Sequence, residues 1–371
     1  MKKLNNIIIY YPSFEKGGAT INLVNFANEA VKKNINISLI SNIDSKKGKK
    51  FFSKKIKIYK VPSFKNFFLT KRLTSSISSI FVLISLLITP KKNTVFLSFQ
   101  THIIPLIFCS IFRKKIVIRN SEDAIDATKY ADNLFFAYVV FFLKSFFYFF
   151  SNGIITNSLK SKNSLKKVTF NMKNINLIYN PYLLKVLKFK KRKRKNIILS
   201  VGRFCKQKNQ SLIINAFKIF LESHKNFKLI LVGDGADKNK LNNLVINLNL
   251  QKNVVFKDWQ PNISKYYLTS KLLVFPSLYE GLPNTLIDAL NYGLPAISTK
   301  CSGAEDILSK KYQFFIESND PKNLSKKISN SIKNYNKILI STRNEHKKLN
   351  RFLISNQVDK YLKFLTVVFN R

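Results

Sequence analysis

Glu280 and Asp288 stand eight positions apart in the run YEGLPNTLIDAL (residues 279–290), on either side of a Gly281-Leu282-Pro283 junction. The glycine and proline suit a tight turn followed by a helix start. The amides of Asn284, Thr285 and Leu286 are then expected to point, without intrahelical partners, at whatever lies above them. A helix N-terminus of this kind favours an anion. A phosphate held there would have a carboxylate acceptor on each side, which suits the hydroxyls of a sugar nucleotide. The plain alternative is a capped surface helix that happens to carry an acid.

A cationic set lies upstream. In VGRFCKQK (residues 201–208) a β-branched run ends in Gly202 and then presents Arg203 and, five residues on, Lys208 ahead of a helix. A guanidinium grips two oxygens in a planar fork while a lysine acts as a mobile point charge, so the pair suits a diphosphate. If that diphosphate is a leaving group, these cations and the amides after Gly281 would stabilise its growing charge. A solvated basic loop is the alternative. Near the N-terminus, Gly17-Gly18 lies between a first strand and a helix, where glycine lets the backbone approach a ligand or simply turn.

Such residues need a scaffold that gathers loops at strand ends. Residues 7–10, 35–41, 55–61, 94–99, 115–119, 153–156 and 174–179 read as strands separated by amphipathic stretches, the alternation of a βαβ sheet. After Asn180-Pro181 a tract ends in six consecutive basic residues, Lys190 to Lys195, and reads as an exposed linker. The alternation restarts with strands from Asn196, Lys228, Val254, Leu272 and Leu294, and the tail from Lys322 is helical and lysine-rich. The predicted organisation is an acceptor-side, membrane-associated α/β domain over 1–185, a linker over 186–195, a second α/β domain over 196–345 and a C-terminal helix over 346–371 that packs back on the first. Two doubly wound domains would set their strand ends face to face across a cleft, where open parallel sheets bind ligands.

Composition bounds the partners. A chain of 371 residues with 46% hydrophobic residues can bury two cores. Lys+Arg 64 against Asp+Glu 19 gives a net charge of +45, which implies a polyanionic partner. Cys109, Cys205 and Cys301 are widely spaced and follow no CxxC pattern, so neither a disulfide framework nor a zinc site is indicated and a reducing compartment fits. The N-terminal apolar stretch is too short for a signal peptide and reads as a strand. Residues 76–89 and 135–150 are apolar but fall short of the roughly 20 residues that cross a bilayer. The second, FFAYVVFFLKSFFYFF, fits either a buried helix or one whose outer face dips into a membrane surface.

Taken together, GRFCKQKNQSLIINAF, LILVGDG, VVFKDW, VFPSLYEGLPNTLIDALNYGLPAIST and GAEDIL, in that order, resemble the retaining glycosyltransferases of family 4, or group 1, which have the GT-B fold of two Rossmann-like domains. The Gly17-Gly18 loop and the Asn180-Pro181 exit match more loosely. The resemblance implies that Arg203 and Lys208 lie on the donor diphosphate. It likewise implies that Glu280, the first acid of an E-x7-E motif, faces the transferred sugar, and that Asp288 stands where a second Glu contacts the ribose, one methylene shorter. Gly202 and residues Gly281, Leu282, Pro283, Asn284, Thr285 and Leu286 complete the implied donor site. Where many members have a histidine near the reacting centre this chain reads KIVIRNSEDAI, similar to a subgroup with an Arg-Asn pair, so Arg119 and Asn120 become cleft candidates. Glu122 or Asp123 could orient an acceptor hydroxyl. His102 follows a strand and is a candidate for the cleft rim, while His224 and His346 fall in helical surface segments.

No Ser/His/Asp triad and no carboxylate or histidine set at metal-ligand spacing stands out, so no metal and no cofactor are expected. The expectation is a hexosyltransferase using a nucleotide sugar, by default a UDP-sugar. Its acceptor would be a lipid-linked saccharide or glycolipid of bacterial surface polysaccharide assembly, at the cytoplasmic face of an anionic membrane. Two rivals remain: a catalytically weak scaffold of the same fold, and a basic nucleic-acid-binding protein that would leave the EGLP loop without a purpose.

Overall fold

The computed structural model describes residues 2–15, 17–43, 46, 50–62, 71–169, 174–260 and 262–371. They form two compact units, one of Met1–Leu184 with Arg351–Arg371 and one of Lys185–Asn350.

In the first unit β1 (Asn6–Tyr10), β2 (Asn36–Ser41), β3 (Lys57–Lys60), β4 (Thr94–Ser98), β5 (Ile116–Asn120), β6 (Gly153–Thr156) and β7 (Ile175–Leu177) make one parallel sheet, in the order β3-β2-β1-β4-β5-β6-β7. Each strand lies within two residues of its predicted place, because strands covered on both faces read as continuous β-branched runs. The period-two alternation divides β1 between two cores. Ile7 and Ile9 pack with Leu23, Phe26 and Ala30 of α1 (Gly18–Lys32), whereas Ile8 and Tyr10 face the other side. That side is covered by α2 (Lys71–Ser78), α3 (Ile80–Ile88), α4 (Ile103–Ile111), α5 (Ala124–Lys129), α6 (Leu134–Tyr148) and α7 (Leu159–Val168).

Two apolar stretches resolve differently. Residues 76–89 break at Ser79, whose hydroxyl lies 2.7 Å from both the Tyr10 hydroxyl and the Ser76 carbonyl oxygen; Leu83 and Leu87 of α3 are buried while Phe81 and Ile88 stay exposed. Residues 134–150 carry α6 on the surface, and Tyr148 alone among them is fully buried. Among the described residues no helix is long and apolar enough to cross a membrane.

In the second unit β8 (Ile197–Val201), β9 (Lys228–Val232), β10 (Val254–Lys257), β11 (Leu272–Phe275), β12 (Ala296–Thr299) and β13 (Phe315–Ile316) form a parallel sheet in the order β10-β9-β8-β11-β12-β13. Helices α8 (Gln210–Leu221), α9 (Lys238–Asn247), α10 (Ser264–Thr269), α11 (Asn284–Asn291), α12 (Ala304–Leu308), α13 (Pro321–Lys333) and α14 (Tyr335–His346) wrap it. Phe217 and Phe220 of α8 meet Leu324 and Ile328 of α13 in the core.

The basic tract, read as an exposed linker, is exposed over most of its length but is fastened at Arg194. Arg194 is half-buried and donates to five carbonyls: Tyr267 (2.6 Å), Leu268 (3.3 Å) and Ser270 (2.9 Å) at the end of α10, and Tyr292 (3.0 Å) and Gly293 (2.8 Å) at the end of α11. A guanidinium across two helix C-termini meets the carbonyls those helices leave over and the negative end of both dipoles. Residues 185–195 therefore belong to the second unit. The chain leaves it only at Asn350, not at 345, and α15 (Ile354–Asn370) lies in the first unit, where Tyr361 packs 5.1 Å from Phe26 of α1.

Candidate active site

Both sheets reverse their winding beside their first strand, between β1 and β4 and between β8 and β11. Loops leaving the carboxyl ends of those neighbours diverge and leave a crevice, the usual ligand position in open parallel sheets. In the second unit these two loops carry the residues singled out by their chemistry.

The loop after β8 holds Gly202, Arg203 and Lys208; the loop after β11 holds Glu280 and leads into α11. Lys208 Nζ pairs with Glu280 Oε1 although the two are 72 positions apart, and the side chains are only 15% and 11% exposed. The ammonium also lies 5.2 Å from the centre of the Phe275 ring. Gly202 makes room for this arrangement, since a Cβ there would stand 3.3 Å from Lys208 Cδ. Gln207 staples the loops together, its amide donating to the Tyr279 carbonyl at 2.9 Å and its own carbonyl accepting from the Leu278 N–H at 2.9 Å. Arg203 is exposed beside them, its guanidinium donating a long 3.4 Å hydrogen bond to Gln207.

Glycines close the back of the crevice. A Cβ on Gly233 would fall 1.9 Å from the Gly202 carbonyl oxygen, and one on Gly235 would fall 2.3 Å from that of Phe204. Gly303, at φ 76°, passes so close under the EGLP loop that a Cβ would stand 2.2 Å from the Gly281 oxygen and 2.8 Å from Leu282 Cα. Gly281, Leu282 and Pro283 are buried accordingly. The expected trio of available amides is corrected at one position, because the Leu286 N–H bonds the Pro283 carbonyl at 3.0 Å in a tightened first turn. Asp288 is half-buried on α11, against Tyr267, whose hydroxyl is pushed up first by burial and then by the Asp288 charge. Tyr267 stacks on Tyr292 with ring centres 5.5 Å apart.

In the first unit two of the predicted acceptor-side residues, Arg119 and Asn120, prove internal. Arg119 is 1% exposed, donating to the Tyr361 hydroxyl (3.0 Å), Ser121 Oγ (3.1 Å) and Asn180 Oδ1 (2.6 Å), with Phe99 beneath it at 5.1 Å. Asn120 is buried too, its amide on the Glu122 carbonyl. These two are corrected from ligand candidates to the frame of the β5 edge, anchoring α15. Asp123 is buried, caps α5 through the Ile125 and Asp126 amides, and accepts from Ser164 Oγ at 2.8 Å. Glu122 keeps an exposed carboxylate and pairs with Lys144 of α6 at 3.0 Å.

His102 is half-buried, with Nδ1 2.8 Å from Ser98 Oγ and its ring 5.8 Å from that of Tyr148; burial, then the charges of Lys144 and Arg119, hold its pKa far below the usual value. Gly17 precedes α1, which begins at Gly18, and nothing lies within 4 Å of where a Gly17 Cβ would be. His224 stacks on Phe220 at 4.2 Å, and His346 is 7% exposed against Phe189, correcting its surface assignment. Among the described residues no group of three or more His, Cys, Asp or Glu could hold a metal ion. Gln207, Phe275, Gly303 and Arg194 are site-building residues that composition and spacing passed over. The glycine of GAEDIL was the one visible signal.

The second unit matches the family model of glycosyl transferases group 1, over residues 185–349. Over 113 residues the chain is 47% identical to an uncharacterized glycosyltransferase of Methanocaldococcus jannaschii, covering 30% of this chain and 28% of that protein. It is 26% identical, over 100% of both chains, to a Campylobacter jejuni protein named GalNAc-alpha-(1->4)-GalNAc-alpha-(1->3)-diNAcBac-PP-undecaprenol alpha-1,4-N-acetyl-D-galactosaminyltransferase. The chain spans 28%, 52% and 46% of the length of the first three curated relatives it matches. Among solved structures, Anabaena HepE in complex with UDP and glucose superposes with a TM-score of 0.78 at 16% identity, covering 98% of this chain and 100% of that one. The fold is therefore of the GT-B type, two Rossmann-like parallel-sheet domains.

Proposed function

We propose that the protein is a family 4 type hexosyltransferase that moves a hexose or N-acetylhexosamine from a nucleotide sugar, with retention of configuration. The acceptor would be a lipid-linked saccharide or glycolipid in bacterial surface polysaccharide or lipopolysaccharide assembly. UDP-linked donors, a reaction without metal or cofactor, and peripheral attachment to the cytoplasmic face of an anionic membrane complete the proposal. The observation that carries it is the Lys208–Glu280 pair at the switch point of the second sheet, with the Arg203 guanidinium exposed beside it. The Campylobacter relative, whose printed name is that of an N-acetylgalactosaminyltransferase acting on an undecaprenol diphosphate saccharide, supports the acceptor class.

The geometry suits such chemistry. An ammonium has three N–H donors; Glu280 takes one, and the rest can turn to a diphosphate that Arg203 grips from the solvent side. The bond from the anomeric carbon to the diphosphate breaks as the acceptor oxygen bonds the same face, and the acceptor proton passes to the departing phosphate oxygen. Fixed cations and the N-terminal turn of α11 stabilise the charge that grows there. Glu280, beside Lys208, accepts from sugar hydroxyls, and Asp288 addresses the ribose.

Thermal melting with UDP and UDP-sugars, with and without EDTA, tests this. A ligand at about 100 times its Kd adds roughly 2.7 kcal/mol, and Arg203→Ala is expected to lose that shift while melting normally without ligand. An unchanged shift in Arg203→Ala would overturn the diphosphate assignment, and a shift abolished by EDTA would overturn the metal-free one.

A further inference from the structure

The surface of α6 is not explained by the fold. Phe135, Phe136, Tyr138, Phe142, Phe146 and Phe149 are each more than half exposed. The single charge between residues 134 and 150, Lys144, is turned inward, its side chain 22% exposed and its Nζ 3.0 Å from Glu122. Ser145 is turned to the backbone as well, donating to the Phe141 carbonyl at 2.9 Å. The outward face therefore offers aromatic and aliphatic carbon with almost no group able to specify a protein partner's register. Other helices of the same layer end in exposed cations: Arg113 follows α4, Lys129 closes α5, and Lys166 and Lys167 close α7. An uncharged aromatic ridge on a chain of net charge +45, in a layer whose other helices end in exposed cations, is complementary to an anionic lipid bilayer, with rings at the headgroup boundary and lysines on the phosphates.

The inner face of α6 touches the loops at the carboxyl edge of its sheet. Lys144 holds Glu122, whose carbonyl in turn accepts from the Asn120 side chain, and Tyr148 packs edge-on against His102. We propose that α6 docks on an anionic bilayer through its aromatic ridge, and that the Lys144–Glu122 pair couples docking to the order of the loop between β5 and α5. This deepens the membrane attachment proposed above by naming the element that makes it and the loop it governs.

The test uses the full chain with vesicles of phosphatidylglycerol and phosphatidylcholine, read by sedimentation and by hydrogen exchange of residues 120–126. Wild type is expected to bind the mixed vesicles, and the exposed-site variant Phe135→Ser/Phe142→Ser/Phe149→Ser at least tenfold more weakly. In a Trp259→Phe background a Phe142→Trp reporter should be quenched by brominated acyl chains, which tests the same contact without removing the ridge. Exchange at 120–126 should slow at least threefold on vesicles, and Lys144→Met should abolish the slowing while still binding. An unquenched reporter, or equal binding by the triple variant, overturns the docking. A wild-type dimer that the triple variant dissolves, without vesicle binding, assigns the ridge to a second copy instead. Binding without slowed exchange, or slowing that survives Lys144→Met, overturns the coupling. Donor-induced thermal shifts are read separately, so their absence would sink the transferase proposal while leaving the docking result standing.

Discussion

Breaking the Lys208–Glu280 pair should destabilise the second unit and abolish transfer from either side, while donor binding is lost only with the lysine. At contact distance and an effective dielectric of about 20, the gross attraction of two unit charges is about 5 kcal/mol. Desolvation of side chains that are only 15% and 11% exposed offsets more than half of it, leaving a net coupling of about 2 kcal/mol. Lys208→Met and Glu280→Gln should thus each cost about 2 kcal/mol, because each strands a poorly solvated charge or acceptor. The double variant should cost about 2 kcal/mol less than the sum of the singles. Trp259, the single tryptophan, follows β10 in the second unit, so its fluorescence during urea unfolding reports that unit. Functionally, Glu280→Gln frees the ammonium and should bind UDP at least as well as wild type while losing transfer, whereas Lys208→Met should lose both. Additivity within about 0.5 kcal/mol would refute the pair as a coupled unit. UDP binding lost equally in both variants would refute the division of roles.

Three further outcomes follow from the geometry. Gly303→Ala places a Cβ 2.2 Å from the Gly281 oxygen at φ 76° and should cost about 2–4 kcal/mol, with weakened UDP binding, measured by the same urea titration and by calorimetry. Arg194→Met leaves five carbonyls at the ends of α10 and α11 without their shared donor and should cost about 2–4 kcal/mol; Arg194→Lys, which keeps the charge but not the fork, should recover part of that. His102 has its folded pKa held down to about 3 against 6.5, so the unfolded chain takes up its proton first as pH falls. Its contribution is fully present above pH 6.5 and is lost between there and about pH 3. Urea midpoints from pH 7.5 to 4.5 should therefore fall more steeply in wild type than in His102→Asn.

Strand positions were legible in the chain because both sheets are covered on each face, and buried parallel strands leave β-branched runs whatever their partners. The EGLP turn, Arg203 and Lys208 were legible as residue types suited to a phosphate ester. Their conjunction was not, since residues 72 positions apart meet only when β8 and β11 become neighbours at a reversal of winding. Arg119 shows the opposite failure. The resemblance of its Arg-Asn pair marked it as a cleft candidate, but Tyr361, which returns 242 positions later, takes its Nε–H and closes it into the core.

Composition likewise spoke only for averages. It announced a +45 chain with an aromatic-rich segment, and it could not say whether residues 134–150 turned inward or outward, because a helix apolar on all sides has no periodicity from which to read a face. The basic tract looked like linker because six cations in a row seldom pack, until helices α10 and α11 ended side by side and gave one of them five carbonyls to bind. The chain by itself determined the elements and the chemical kinds of residue at their ends, since hydrophobic periodicity and turn chemistry are local. Only the tertiary structure decided which charges face each other, which are walled in and which aromatic face is left to solvent, because burial and pairing depend on groups distant in sequence.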